Sequence, residues 1–158
     1  MRKFYSIIIF CVFALSVLQA QYCASSATQT ADEDIFNVSL GGMSNTTNCT
    51  TAPPAGIQNR YSDFTTSGPT TNIFTGVTYP LSITVGSCGG NFSTGVAAFI
   101  DWNADNDFLD AGEKVYTSPG LTNSIPSFTL SGNVPVPGAA TVGVTRLRVI
   151  AVESTSGA

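Results

Sequence analysis

An apolar run from Val96 to Ile100 leads without a break into a loop where oxygen-bearing side chains recur at every second position: Asp101, Asn103, Asp105 and Asp107. A strand that is apolar on both of its alternating faces must be covered from both sides. Val96 to Trp102 is therefore expected to be the central strand of a layered β-structure. Asp110 and Glu113 follow, and Glu113 to Thr117 then resumes a strand pattern, as the return arm of a hairpin would. Five of the chain's ten acidic residues lie in the thirteen positions from Asp101 to Glu113. Like charges at that density repel one another unless water or a cation screens them. Oxygen ligands without sulfur or imidazole suit a hard cation, Ca²⁺ above all.

The spacing is close to that of a helix-flanked calcium loop. With Asp101 as position 1, Asn103, Asp105 and Asp107 fall at 3, 5 and 7, and Glu113 falls at 13, one residue late. Asn106 stands at the sharp-turn position that glycine usually holds, and asparagine tolerates the left-handed backbone better than other non-glycine residues. Phe108 is placed to anchor the loop to the core. The flanks read as strands, so the expectation is a calcium loop between β-strands, with Asp101, Asn103, Asp105, Asp107, Asp110 and Glu113 as the candidate ligands and Ca²⁺ as a structural cofactor. The alternative is a solvated acidic hairpin loop without an ion. Trp102, beside the first candidate ligand, reads first as a core aromatic continuing the Val96, Ala98, Ile100 face. A sugar-stacking platform is its other reading.

The rest of the chain supplies short strands and turn residues. Ile35 to Leu40 alternates and reads as a first strand ended by Gly41-Gly42, and Met43 to Asn59 reads as a loop rich in Asn, Thr, Pro and Gly. Arg60 to Thr65 is a short strand or turn. Tyr79 to Val85 alternates with Leu81, Ile83 and Val85 on one face, and Ser127 to Leu130 is a short strand before a turn at Pro135, Pro137 and Gly138. Thr141 to Val152 sets Leu147, Val149 and Ala151 against Arg146, Arg148 and Ile150. Tyr61, Phe64 and Tyr79 are taken as core or strand-pair residues, and Arg146 and Arg148 as a solvated pair sharing one face. No segment beyond the first twenty residues combines a 3.6-residue period with helix caps. The fold class expected is all-β, an antiparallel β-sandwich of jelly-roll or immunoglobulin-like type.

Residues 1–20 read as a secretory signal, with Arg2 and Lys3 ahead of an apolar run from Ser6 to Leu18 and small Ala20 at the cleavage point. The run is shorter than the roughly twenty residues a membrane-spanning helix needs, so no stable membrane span is expected. Residues 21–31 form an extended polar lead-in, and residues 32–158 one domain. Without Arg2 and Lys3, four basic side chains remain against ten acidic ones, a net charge of −6. That balance argues against nucleic acid or an anionic membrane as partner. Cys23, Cys49 and Cys88 remain in an oxidising compartment, enough for one disulfide with one thiol left over. Asn37, Asn45, Asn48 and Asn91 head N-glycosylation sequons.

The chain contains no histidine. Ser-His-Asp and Cys-His catalysis and zinc-peptidase motifs are thereby excluded. Paired-carboxylate hydrolysis needs two acids facing each other across a cleft, and nothing places Asp32, Glu33, Asp34, Asp63 or Glu153 in that relation. A catalytic residue is not expected, and a hydrolase using the loop acids is the remote alternative.

Tyr22-Cys23, Tyr61-Ser-Asp-Phe-Thr65, Tyr79-Pro-Leu-Ser-Ile-Thr-Val85, Phe99-Ile-Asp-Trp-Asn-Ala-Asp-Asn-Asp-Phe108 with Asp110-Ala-Gly-Glu113, and Thr145-Arg-Leu-Arg-Val149 together resemble the GEVED domain family. These are β-sandwich modules of secreted, mostly bacterial, multidomain proteins. The resemblance spans nearly all of the chain after the signal, and Asn106 replaces the family's usual Gly. It implies a non-catalytic module for binding, adhesion or spacing, whose partners are other extracellular domains or a surface glycan or protein; a carbohydrate-binding module is the alternative. It implies Cys49 with Cys88 as the disulfide. It also implies a further strand and a partner for Cys23 after the Arg-Leu-Arg strand, where this chain ends at Ala158, and hence an open strand edge prone to self-association.

Overall fold

Alternation with a period of two puts every second side chain of a strand on the same face, and two such faces pressed together make a core. In the computed structural model, which describes residues 22–28, 32–90, 92–119, 122–123 and 126–153, ten strands arise in this way and no helix occurs among the described residues. They are β1 (Glu33–Leu40), β2 (Met43–Thr46), β3 (Ala55–Ile57), β4 (Tyr61–Asp63), β5 (Thr78–Ser87), β6 (Ser93–Ile100), β7 (Lys114–Thr117), β8 (Thr122–Asn123), β9 (Ser127–Pro135) and β10 (Leu147–Glu153).

One sheet runs β2-β1-β5-β9 and the other β10-β6-β7, with β8 continuing along β6; β3 and β4 form a separate hairpin. All the pairings are antiparallel. The core is the interface of the two four-stranded sheets. Leu81, Ile83 and Val85 of β5 are buried together with Val96, Ala98 and Ile100 of β6, and Leu40, Trp102, Val134 and Val136 complete the cluster. Burying each large aliphatic side chain contributes roughly 1.5–3 kcal/mol. The all-β sandwich expected from the strand pattern is what forms, with β6 central in its sheet and β7 as its hairpin return.

Three segments differ from their local pattern. Met43 to Asn59 is not all loop: β2 pairs along β1 from Asn37↔Thr46 to Leu40↔Met43. Apart from Met43, which packs against the core, its side chains are polar, so the ladder to β1 more than a hydrophobic face makes it a strand. Asn37 ties the pair together, its Nδ2 donating to Ser44 Oγ, Asn45 O and Thr46 Oγ1. β9 continues past Leu130 to Pro135 through Ser131-Gly132-Asn133, where Gly132 breaks the side-chain pattern. A Cβ at Gly132 would lie 2.6 Å from the ring of Tyr116, so the glycine makes room for that ring between the sheets. Thr141 to Arg146 alternates like a strand but is not one; Val142 and Val144 are 94% and 98% exposed. From Leu147 onward the expected two-faced strand holds, with Leu147 and Val149 packed on the core.

Cys49 and Cys88 form the disulfide, joining the segment after β2 to the turn after β5, and Cys23 is a free, exposed thiol. A disulfide is compatible with an oxidising, extracellular setting. Among the described residues no helix is long and apolar enough to cross a membrane. The signal sequence expected over residues 1–20, Asn91 and the residues after Glu153 lie outside the described residues.

Candidate functional site

The acidic loop starts where β6 ends. Ile100 N donates to Glu113 O at 2.8 Å, so both ends of the loop are held at the last rung of the β6–β7 hairpin. Inside that closure the acids divide into two groups by burial. Asp101 is 0% exposed and Glu113 is 1% exposed, whereas Asn103, Asp105 and Asp110 are exposed and Asp107 is half-buried.

The two buried carboxylates each accept hydrogen bonds from two of the loop's own amides. Asp101 Oδ1 accepts from Ala104 N at 2.6 Å, and its Oδ2 accepts from Asn106 N at 3.0 Å and from the Tyr22 hydroxyl at 2.6 Å. Glu113 Oε1 accepts from Trp102 N at 2.9 Å and Oε2 from Asp110 N at 3.3 Å. A buried ionised carboxylate is tolerated only with such partners. Burial nevertheless pushes the Glu113 carboxyl above the usual carboxylate range, with Asp101 and Asp110 adding to the effect while the two amides oppose it. The Tyr22 hydroxyl is likewise pushed well up, first by burial and then by the Asp101 carboxylate it bonds.

The outer residues form a ladder of side-chain-to-backbone turns. Asn103 Oδ1 accepts from Asp105 N, Asp105 Oδ1 from Asp107 N, and Asp107 Oδ1 from Leu109 N, at 3.2, 3.1 and 2.8 Å. Short polar side chains favour this geometry because each bonds the backbone two residues on. Three carboxylates converge at the surface of the loop: an oxygen from each of Asp105, Asp107 and Asp110 lies within 4.8 Å of the others. Calcium–oxygen distances of about 2.4 Å put two ligands of one ion at most about 4.8 Å apart, so each pair in this group is within the separation that a shared ion requires. Asn103 Nδ2 donates to Asp105 Oδ2 at 3.0 Å and to Asp110 Oδ2 at 2.6 Å, marking where acceptor lone pairs converge.

The loop bends through two left-handed non-glycine residues, Ala104 at φ 61° and Asn106 at φ 75°. Asn106 is the turn residue expected from the sequence; Ala104 is not a residue type that enters this region without strain. Ala104→Gly should therefore raise the unfolding free energy by up to about 1 kcal/mol, the relieved strain exceeding the entropy glycine adds to the unfolded chain. Urea denaturation of the two proteins checks it.

Trp102 lies in the core at 9% exposure, its Nε1 donating to Gly112 O at 3.2 Å, so the indole braces the loop from beneath and offers little ring face for stacking. The segment from Thr141 to Arg146, missed as a site element because it mimics a strand, wraps the loop. Thr141 N donates to Trp102 O at 2.7 Å, Thr141 Oγ1 to Asn103 O at 3.0 Å, Thr145 Oγ1 to Asp101 O, and Asp101 N to Arg146 O at 3.4 Å. Phe108 does not enter the core; it lies on the outer face of the β10-β6-β7 sheet, 6.1 Å from the Phe99 ring and 4.7 Å from the Arg148 guanidinium. Arg146 and Arg148 are accordingly not merely solvated but stacked on Tyr22 and Phe108.

The β6 strand, this loop, its hairpin return and the β9–β10 end of the sandwich fall together in the match to one family model, the GEVED domain, over residues 95–158. Residues 95–158 are similar to the GEVED domain family. The GEVED match thus covers the whole acidic loop and both strands that hold it, and begins at Gly95. The motif pieces around Tyr22, Tyr61 and Tyr79 lie before the matched residues, so the match is narrower than the resemblance implied. No curated protein and no solved structure matches the chain.

Proposed function

We propose that the chain is a secreted, non-catalytic β-sandwich module whose acidic loop binds one Ca²⁺, and that it serves binding, adhesion or spacing beside other extracellular domains or a surface glycan or protein. The observation that carries the cation reading is the convergence of Asp105, Asp107 and Asp110, all on one short loop, with oxygen atoms within 4.8 Å of one another. A hard ion satisfied by carboxylate, amide and water oxygens suits that set. Asp101 and Glu113 are spent on backbone amides and act as the frame of the loop. Asn103 stands beside the three acids, its Nδ2 donating to Asp105 and Asp110 while its Oδ1 accepts from Asp105 N.

The non-catalytic reading rests on the missing histidine and on the same hydrogen-bond census, since a carboxylate locked onto amides is poorly placed to shuttle protons. The burial of Trp102 works against a sugar-stacking role at this loop. Among the described residues β10 pairs as a strand with β6 alone, which leaves its other edge as the place where a further strand or a second copy would add.

Titration calorimetry of the whole chain with CaCl₂, with MgCl₂ as control, tests the cation reading. The expected result is one Ca²⁺ per chain with Kd on the order of 10⁻⁴–10⁻³ M, as in extracellular modules, and weaker Mg²⁺ binding because that ion sheds water reluctantly. Absence of a saturable calcium heat rejects it.

A further inference from the structure

The lead-in reads in the sequence as aperiodic and polar, yet residues 22–27 are tied down at three points. The Tyr22 hydroxyl donates to Asp101 Oδ2 at 2.6 Å across 79 residues. Cys23 O accepts from Arg148 Nη2 at 2.8 Å, and Ala27 exchanges bonds with Arg60, its N donating to Arg60 O at 3.2 Å and its O accepting from Arg60 Nε at 2.7 Å. The Tyr22 ring is inserted between the Arg146 guanidinium, 4.4 Å away, and the Phe108 ring, 5.0 Å away. Phe108 belongs to the acidic loop and sits between Asp107 and Asp110. Tyr22 therefore grips the loop twice, at its buried frame through Asp101 and at its apolar anchor through Phe108.

We propose that Tyr22 is a positioning residue for the acidic loop, and that residues 22–27 are a strap whose docking and the ordering of the loop are one coupled event. Asp101 holds the turn through Ala104 N and Asn106 N, and the Tyr22 hydroxyl fixes the carboxylate that does so. Coupling of this kind is reciprocal: whatever the docked strap contributes to an ordered loop, an ordered or occupied loop returns to the strap. The strap itself stands on contacts present without an ion; only its effect on calcium affinity rests on the cation reading above.

Tyr22→Phe in the full chain isolates the hydroxyl, since phenylalanine keeps the ring between Arg146 and Phe108. Amide hydrogen exchange at Ala104 and Asn106 should become about ten-fold faster, because the hydroxyl bonds a charged acceptor, while exchange at Ile83 and Val85 in the core stays unchanged. Calcium affinity should weaken several-fold in the same variant. Unchanged exchange at Ala104 and Asn106, or acceleration spread equally through the core amides, overturns the proposal. If the unsubstituted chain binds no calcium, the cation reading falls while the exchange result still decides the strap.

Discussion

Asp101→Ala is expected to lower the unfolding free energy by about 3 kcal/mol, measured by chemical denaturation with chelator present. The carboxylate is fully buried and accepts three bonds, from Ala104 N, Asn106 N and the Tyr22 hydroxyl. Alanine leaves two loop amides and a phenol facing a void, each without the acceptor it was folded around. Hydrogen bonds to a charged group are worth about 1.5–3 kcal/mol, and a buried donor left unsatisfied adds a desolvation penalty of its own. Part of that loss is recovered by water entering the loop, which holds the figure near 3 instead of the sum of the three. Asp101→Asn retains an oxygen but turns an amide nitrogen toward a donor, and should lie between the two proteins. Since chelator is present, the effect is independent of any ion; a loss below about 1 kcal/mol would show that the loop folds without its frame.

The second large effect is expected from the disulfide. The segment from Thr47 to Asp63 buries almost nothing: β3 is exposed along its whole length, and the hairpin with β4 belongs to neither sheet. Thr47 bonds Phe36 O and Ile35 O of β1, and Arg60 bonds the lead-in at Ala27; the covalent attachment of the segment is the Cys49–Cys88 bond, which closes a sequence separation of 39 residues. A closed loop of that length restricts the unfolded chain by an amount worth about 4 kcal/mol on the chain-entropy model. The double substitution Cys49→Ser with Cys88→Ser, which leaves no unpaired thiol at either site, should lower Tm by about 10–20 °C for a domain of this size. A drop of under about 3 °C would mean that the segment is held by contacts other than the bridge.

The parts of the fold that could be read from the sequence are those whose cause is local. Val96 to Ile100 declares a strand covered on both faces because five apolar residues in succession cannot be left half in water, and Leu81, Ile83 and Val85 declare the opposite core face by alternating. The acidic loop was legible because its side chains bond their own backbone two residues on, and Asn106 adopts the left-handed turn its type permits. The parts that could not be read depend on a partner elsewhere. β2 has no face of its own and is a strand only because β1 lies beside it. β9 loses its period at Gly132, where the side chain is absent so that the Tyr116 ring can fit. Thr141 to Arg146 has the alternation of a strand, but its backbone serves the loop.

The same distinction separates the two roles within the site. Spacing alone made Asp101, Asn103, Asp105, Asp107, Asp110 and Glu113 one ligand set. Burial divides them: Asp101 and Glu113 face inward onto amides, and Asp105, Asp107 and Asp110 converge at the surface. No pattern within the loop marks Tyr22, which reaches Asp101 from the far end of the chain; its signals are the Tyr22-Cys23 piece of the resemblance and its place as a lone aromatic in a small, polar stretch.

Whether the outer acids hold an ion while the buried acids frame the loop is tested most directly by Asp107→Asn, through thermal melts in calcium and in chelator. Asparagine keeps the oxygen that Leu109 N needs and removes one charge from the cluster. The unsubstituted chain should melt higher in calcium than in chelator, by mass action of the bound ion. The variant should melt in chelator at the same temperature or slightly above, because like charges have been relieved, and should lose most of the rise in calcium. An unsubstituted chain whose Tm is the same in calcium and chelator, or a variant that already melts lower in chelator, would contradict that division of roles.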